Sequence, residues 1–468
     1  MNRSTIAAIS TPYGSGGIGI IRISGDASTK IAETLFCRSG KPANQKNGEA
    51  HSHLKSHRFY HGHIIDPATQ KIIDEVLIVV MKAPKSYTRE DVVEIQSHSG
   101  YIVLGKIFEN ILNAGARIAE PGEFTRRAFL NGRIDLTQAE AVVDIINAKT
   151  STSLRIAARQ IEGRLKERIE SVRQALQGVR TDLEAAIDFP DETGEIFKDN
   201  PVIPRLKEDI IPALEALVHK YHKGRHFREG VRMAVVGRPN VGKSSLLNCL
   251  IERDRAIVTP TPGTTRDVIE ESLNVNGLPV VIMDTAGLQD TEEEVERRGI
   301  EKTIESIDSA DIILFLIDLS CELCDEDRRI YEKVRQKTHI VVQNKVDIIN
   351  PEISDGLPQD WTKSPTLKIS AREGMHIEEL KRLIKKTVVG EQGVVDEIGV
   401  VPNARHKDTI ERGLHAAKRA VGELQKGTPI EIVAIDIKDA VDRIGEVIGY
   451  QCDKDILDQI FSRFCIGK

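Results

Sequence analysis

Gly237-Arg-Pro-Asn-Val-Gly-Lys-Ser244 is the stretch on which the reading of this chain turns. It carries two glycines and a Lys-Ser pair at the spacing of a phosphate loop. The apolar run Met233–Val236 reads as a strand entering the loop, and Ser245–Ile251 as a helix leaving it. That context matters because backbone N–H groups at a helix N-terminus converge on a bound phosphate. Lys243 is expected at the β- and γ-phosphates and the Ser244 hydroxyl on Mg²⁺. Asn240, Val241, Gly242 and Ser245 complete the expected cradle.

Working downstream, each further motif narrows the ligand. Thr259-Pro-Thr-Pro-Gly-Thr-Thr-Arg-Asp267 resembles the first switch of a GTPase, whose threonine hydroxyl completes Mg²⁺ and senses the γ-phosphate. The buried-strand run Pro279–Met283 ends in Asp284-Thr-Ala-Gly287, where Asp284 would support Mg²⁺ and the Gly287 N–H would meet the γ-phosphate. Strand runs at Ile312–Ile317 and His339–Gln343 precede Asn344-Lys-Val-Asp347. Asp347 can accept two hydrogen bonds from guanine, whereas adenine would leave the carboxylate unpaired at a cost of about 1–3 kcal/mol. Ile369-Ser-Ala-Arg372 follows another strand, and Ser370 and Ala371 would support the base from behind; Asn344 and Lys345 are also expected at the nucleotide. Five motifs in this order, each at a strand end, predict guanine-nucleotide binding.

Catalysis is less conventional. Leu288 stands where Ras-like enzymes carry the glutamine that orients the attacking water. The acidic run Glu292-Glu-Glu-Val-Glu296 is either a substitute for it or the charged start of a helix. Nothing in the sequence forces an arginine into the site. Asn240 and the oxygens of Thr259–Thr264 could cage a monovalent cation there instead.

The rest of the chain is read around this module. With 468 residues, about two to four domains are expected. A net charge of -6 argues against a non-specific polyanion binder. Six cysteines without a signal peptide point to the reducing cytosol, and no apolar run reaches the ~20 residues of a membrane span. Thr5–Ser10 and Gly16–Gly25 read as strand, turn and strand; without a helix directly behind it, Ser15-Gly-Gly-Ile-Gly is no dinucleotide fingerprint. Residues 40–57 read as a surface loop, Lys71–Lys82 and Val92–His98 as strands, and 100–114 as a helix. His51, His53, His57, His61 and His63 fit a solvated loop and strand better than a metal site. Across 154–187 the apolar steps of three and four predict one long helix, whose basic outer face is either a solvated surface or an RNA contact. Helical patterning resumes at about 404–425, so the nucleotide module is inserted between two helical segments. The Cys321–Cys324 pair has no second pair and reads as incidental.

Taken together, four blocks make the chain resemble the tRNA-modification GTPase family MnmE (TrmE). They are Gly16–Gly25, Pro121-Gly-Glu-Phe-Thr-Arg-Arg-Ala-Phe-Leu-Asn-Gly-Arg-Ile-Asp-Leu136, the GTPase set, and the terminal Phe464-Cys-Ile-Gly-Lys468. The resemblance implies a multidomain α+β and α/β protein. An N-terminal folate-binding and dimerisation α+β domain is expected over 1–122, and a split helical domain over 123–228 and 391–468. A Ras-like P-loop GTPase domain would be inserted at 229–390. By resemblance, Arg22, Glu94, Arg133 and Lys468 hold a tetrahydrofolate derivative, either 5-formyl or 5,10-methylene. Asn240, Thr259, Thr261 and Thr264 match K⁺ positions, while Ser244 and Thr265 match Mg²⁺ positions. Glu296 matches the water-orienting glutamate. Cys465 has two open roles, direct chemistry or a buried structural thiol. The implied function is potassium-activated GTP hydrolysis in modification of the tRNA wobble uridine. The implied assembly is a cytoplasmic homodimer with an FAD-dependent MnmG (GidA)-type partner, as a heterotetramer or larger complex that binds tRNA and no membrane. The resemblance leaves two rivals, a purely regulatory RNA-binding GTPase and a folate-dependent aminomethyltransferase with a vestigial G domain.

Overall fold

The computed structural model describes residues 4–12, 14, 16–38, 54–192, 201–254, 272–283, 306–348, 357–390 and 399–468. These residues gather in two compact units. One joins Met1–Val143 to Ile448–Lys468, and the other lies within Asp144–Val447.

In the first unit, strands of β-branched residues alternate between a buried and an outer face. They are β1 (Ile6–Ile9), β2 (Ile18–Ser24), β3 (Phe36–Arg38), β4 (Phe59–Ile65), β5 (Ile72–Met81), β6 (Val92–His98) and β7 (Arg117–Ile118), in the order β3-β4-β5-β6-β2-β1-β7. Helices α1 (Ser28–Leu35) and α2 (Tyr101–Asn113) cover one face, where Ile31, Leu35, Leu104, Ile107 and Ile111 pack on Ile21, Ile23, Ile78 and Ile95. Gly19 permits this: a Cβ there would stand 2.7 Å from the Leu104 side chain. Two further helices follow, α3 (Glu123–Leu130) and α4 (Leu136–Ile146). The terminal helix Lys454–Ser462 closes the unit, with Leu457, Phe461 and Phe464 packed on Leu136 and Ala139. The compact units therefore divide the two expected helical segments. Residues 123–143 and 448–468 lie with the sheet. The shared aromatic cluster explains why, since a Cβ on Gly449 would meet the Phe129 ring at 2.7 Å.

The second unit breaks the single long helix expected across 154–187. It is α5 (Ser151–Ile161) followed by α6 (Arg164–Asp188), interrupted at Gly163 with φ +85°. Only glycine adopts that left-handed backbone without strain. The interruption also rotates the buried stripe. In α5 Ile156 is 3% exposed and Leu154 46%, whereas α6 buries Leu165, Ile169, Val172, Leu176, Val179 and Leu183 as expected. Helix α7 (Ile211–Glu229) runs into a mostly parallel sheet of β8 (Val231–Val236), β9 (Ser272–Val275), β10 (Leu278–Ile282), β11 (Ile312–Asp318), β12 (His339–Asn344) and β13 (Thr366–Lys368). The order is β13-β12-β11-β8-β10-β9, with only the β9–β10 hairpin antiparallel. Helices α8 (Lys243–Asp254), α9 (Asp325–Val334) and α10 (Ile377–Val389) belong to this sheet. Beyond it, α11 (Ala404–Lys426) and α12 (Ile430–Ile448) resume the helical part, and α11 packs along α7. Sequence-distant helices thus meet on either side of the inserted module.

Two glycines test this account by opposite effects. Gly163→Ala forces a Cβ into left-handed backbone and is expected to destabilise the second unit by about 1 kcal/mol. Gly422 lies inside α11 with open space where a Cβ would stand, so Gly422→Ala is expected to stabilise it by up to about 1 kcal/mol. Urea midpoints followed by circular dichroism should move in opposite directions.

Candidate functional site

β8 sits centrally, with β11 on one side and β10 on the other. The loop leaving it therefore opens at the point where chain direction across the sheet diverges, the usual place for a ligand in such folds. Gly237 is needed where the chain passes β11, because a Cβ would lie 2.4 Å from the Leu316 carbonyl oxygen. Asn240 and Gly242 both take left-handed backbone, φ +62° and +98°. Turned in this way, the loop delivers Lys243 to the first residue of α8, and Ser244 and Ser245 lie in its first turn. The Lys243 ammonium donates to the Gly237 and Arg238 carbonyls at 2.8 and 2.9 Å, which fixes the cation in the mouth of the loop. Burial pushes its pKa below the ordinary lysine value, with the charge of Glu326 opposing that shift.

Asn344 ties the loops together. Its side chain, buried at 2% exposure, donates to Val241 O at 2.8 Å and accepts from Ala371 N at 3.0 Å. Its carbonyl accepts from Leu319 N at 3.0 Å. Lys345 donates to Asp318 at 2.6 Å. Burial alone would raise the Asp318 pKa, but hydrogen bonds from Lys345 and Ser320 outweigh it and hold the carboxyl below its usual range. Asp347 lies in a short 3₁₀ turn just beyond, and Ser370 and Ala371 follow β13. Asn240, Val241, Gly242, Lys243, Asn344 and the Ser370–Ala371 loop thus converge at one edge of the sheet. Thr259, Thr261, Thr264, Thr265, Asp284, Gly287 and Glu296 lie outside the described residues.

A second cluster lies in the first unit. Arg22 on β2 stands opposite Glu94 on β6, and its Nε donates to Glu94 Oε1 at 2.8 Å. Arg22 Nη1 also donates to the Gly467 carbonyl at 3.3 Å. Gly467 must be glycine, with φ +93° and Ile9 O only 2.9 Å from any Cβ. One residue on, the Lys468 carbonyl accepts from Phe124 N at 3.2 Å. The Arg22 guanidinium lies 5.7 Å from the Tyr87 and Phe124 ring centres, and Arg133 stacks over Tyr87 at 4.7 Å. One strand pair thus joins Arg22 to Glu94, Arg133 shares the Tyr87 ring with Arg22, and the main chain of Gly467 and Lys468 reaches Arg22 and Phe124. Cys465 is exposed.

The chain is similar to known proteins along its length. Residues 5–133 match the family model described as GTP-binding protein TrmE N-terminus, and residues 136–465 match the MnmE helical domain. A protein of Carboxydothermus hydrogenoformans named tRNA modification GTPase MnmE is 42% identical over 100% of both chains. One of Desulfotalea psychrophila with the same name is 44% identical, over 100% of this chain and 99% of its own. The chain belongs to the tRNA modification GTPase MnmE family. Among solved structures, a variant of Aquifex aeolicus Era bound to GDP.AlF4- is 30% identical over 40% of this chain and 66% of that one, with a TM-score of 0.27.

As an MnmE-family GTPase, the protein has features that sequence reading does not find. Tyr87 and Phe124 frame Arg22, though nothing local marks either ring as part of a site. Arg238, the variable second residue of the phosphate loop, contacts Cys321 Sγ and lies 3.4 Å from Asp327 on α9. The Cys321–Cys324 pair, incidental by its spacing, thus borders the nucleotide loop through Cys321. Arg238 and Cys321 lie 83 positions apart in sequence, and only the fold brings them together.

The Asn344 bridge can be tested directly. Asn344→Ala removes two buried hydrogen bonds, each worth about 1 kcal/mol net, so the Kd for GDP is expected to rise about tenfold to hundredfold. Fluorescent-nucleotide titration would measure it; an unchanged Kd would mean the loops hold their places without this side chain.

Proposed function

We propose that this protein is the GTP-hydrolysing partner in a two-protein enzyme that adds a carboxymethylaminomethyl group to C5 of the wobble uridine of certain tRNAs. The one-carbon unit comes from a tetrahydrofolate derivative, and an MnmG-type flavoprotein supplies FAD chemistry and much of the tRNA binding. The observation that carries the reading is the meeting of Glu94 and the Gly467 carbonyl at Arg22, with Arg133 over the same Tyr87 ring that Arg22 approaches. These four come from separate sequence blocks, and a plain GTPase has no use for their convergence.

The chemistry of the set suits a folate. Glu94, on β6 beside Arg22, offers a carboxylate to the donor edge of a pterin, while Arg133 and Lys468 offer cations to glutamyl carboxylates. A bound folate would supply a methylene carbon at the oxidation level of formaldehyde. Arg22 holds Glu94 and the terminal Gly467 carbonyl in place, so its part is to keep the acceptor oriented. Cys465, exposed in the same terminal motif, is free of packing constraints on a chemical role.

On the nucleotide side, Lys243 and the loop amides bind the phosphates, Ser244 and Thr265 hold Mg²⁺, and Asp284 supports it. Asp347 selects guanine. Asn240, with Thr259, Thr261 and Thr264, holds K⁺ where other GTPases insert arginine, and Glu296 orients water in place of the glutamine replaced by Leu288. The protein acts as a homodimer whose G domains approach and part with each GTP hydrolysed, gating the folate site.

Calorimetry with 5-formyltetrahydrofolate should give binding that Arg22→Ala or Glu94→Ala weakens at least about tenfold, as expected for loss of a charge-assisted contact. No binding to the unmodified protein would sink the folate reading. For the GTPase, kcat should be higher in KCl than in NaCl, and Glu296→Ala should lower it by about a hundredfold or more while sparing GTP affinity. Equal rates in both salts would remove the cation, and an unchanged kcat would remove Glu296 from its role.

A further inference from the structure

Beside the Arg22–Glu94 pair, the first unit carries an open cavity of about 510 Å³, within the size range of small-molecule sites. His57, Lys85, Tyr87, Arg89 and Arg133 line it, and none of the eight residues around it is acidic. The three carboxylates nearest in sequence are engaged elsewhere: Glu90 binds Arg127 and Ser24, Asp91 binds Lys82, and Asp135 accepts from Thr137. Among the described residues no carboxylate pairs with Lys85, Arg89 or Arg133. Three permanent cations thus surround one cavity without a counter-charge.

Two residues of its lining also have unusual backbone. Arg89 and His57 take left-handed conformations, φ +58° and +60°, which bulky side chains adopt only where surrounding structure compels them. Reciprocal bonds lock the Arg89 turn. Arg89 Nη1 donates to Asn131 O at 3.1 Å, and Asn131 Nδ2 returns to Thr88 O at 2.7 Å. Such local strain is characteristic of ligand clamps.

Tyr87 belongs both to this cavity and to the folate cluster. Arg133 covers its ring at 4.7 Å and donates to its carbonyl at 3.1 Å, while Arg22 approaches the same ring at 5.7 Å. A ligand with its ring end at Arg22 and Glu94 and an anionic chain passing Tyr87 would run directly into the cations. We propose that this cavity receives the oligo-γ-glutamyl tail of a folate, each added glutamate bringing one carboxylate to Lys85, Arg89 or Arg133. The inference rests on the folate reading above and deepens it, making the long-chain form the natural ligand. Planar guanidinium groups suit carboxylates, which they can grip with two parallel hydrogen bonds.

The test is calorimetric titration of the full-length protein with monoglutamyl and pentaglutamyl 5-formyltetrahydrofolate. The pentaglutamate should bind about tenfold tighter, the size of a few exposed ion pairs, and the advantage should shrink as salt rises. In Lys85→Ala/Arg89→Ala the ratio of the two Kd values should fall towards one, and Lys85→Arg should retain it. Equal affinity for the two forms in the unmodified protein overturns the inference while leaving the folate site intact. Failure of both forms to bind sinks the folate reading and this inference with it. A ratio that survives in the double variant, with tRNA affinity lost instead, assigns the cavity to nucleic-acid phosphates and overturns the proposal.

Discussion

The nucleotide site depends on one buried amide. Asn344 ends β12, and from there its side chain and carbonyl reach the loops that follow β8, β11 and β13. Each of those loops is irregular backbone with polar groups to satisfy, and at a sheet edge such groups need defined partners. One side chain with a donor and an acceptor on the same planar head meets that need for two of them at once. Gly242 follows from the same constraint, because a Cβ there would lie 2.2 Å from Asn344 Nδ2. The phosphate loop and the loops that follow β11 and β13 are therefore a single mechanical unit.

The cluster in the first unit is organised differently, by strand register. Arg22 and Glu94 face each other because β2 and β6 pair antiparallel with those residues opposite, and a shift of one residue would turn both to the other face. Each side chain keeps only about a fifth of its surface exposed. Water is thus partly excluded, and the charge pair is better oriented and less screened than an exposed one. The aromatic rings of Tyr87 and Phe124 both lie within cation–π reach of the guanidinium.

Much of this is legible in the chain itself. The phosphate loop, its flanking strand and helix, and the Asn344–Asp347 block are local patterns, and local patterns survive folding. The strands Ile72–Met81 and Val92–His98 and the helix Tyr101–Asn113 fall within a residue or two of expectation for the same reason. Periodicity used alone fails at Gly163. Apolar steps of three and four run through that glycine without a gap, although its left-handed backbone resets the helix and turns Leu154 outward. The aromatic frame of Arg22, the Arg238–Cys321 contact and the Asn344 bridge are not legible. Asn344 reaches partners 27 and 103 positions away, and Arg238 meets Cys321 across 83, and no local pattern encodes such meetings.

The placement of the chain terminus has a temporal consequence. Ser10 Oγ donates to the Gly467 carbonyl across 457 positions, and Phe124 N reaches the Lys468 carbonyl. Of the two units, the one begun first is thus completed second. At about 5–20 residues per second, synthesis of the roughly 300 residues from Asp144 to Val447 keeps it waiting for about 15–60 s. During that interval Phe129 and Leu136 lack the Phe461 and Phe464 that cover them in the finished fold. Gly467 is made after the whole of Asp144–Val447, so the order in which the message is read keeps the Arg22 cluster incomplete until that segment has been synthesised.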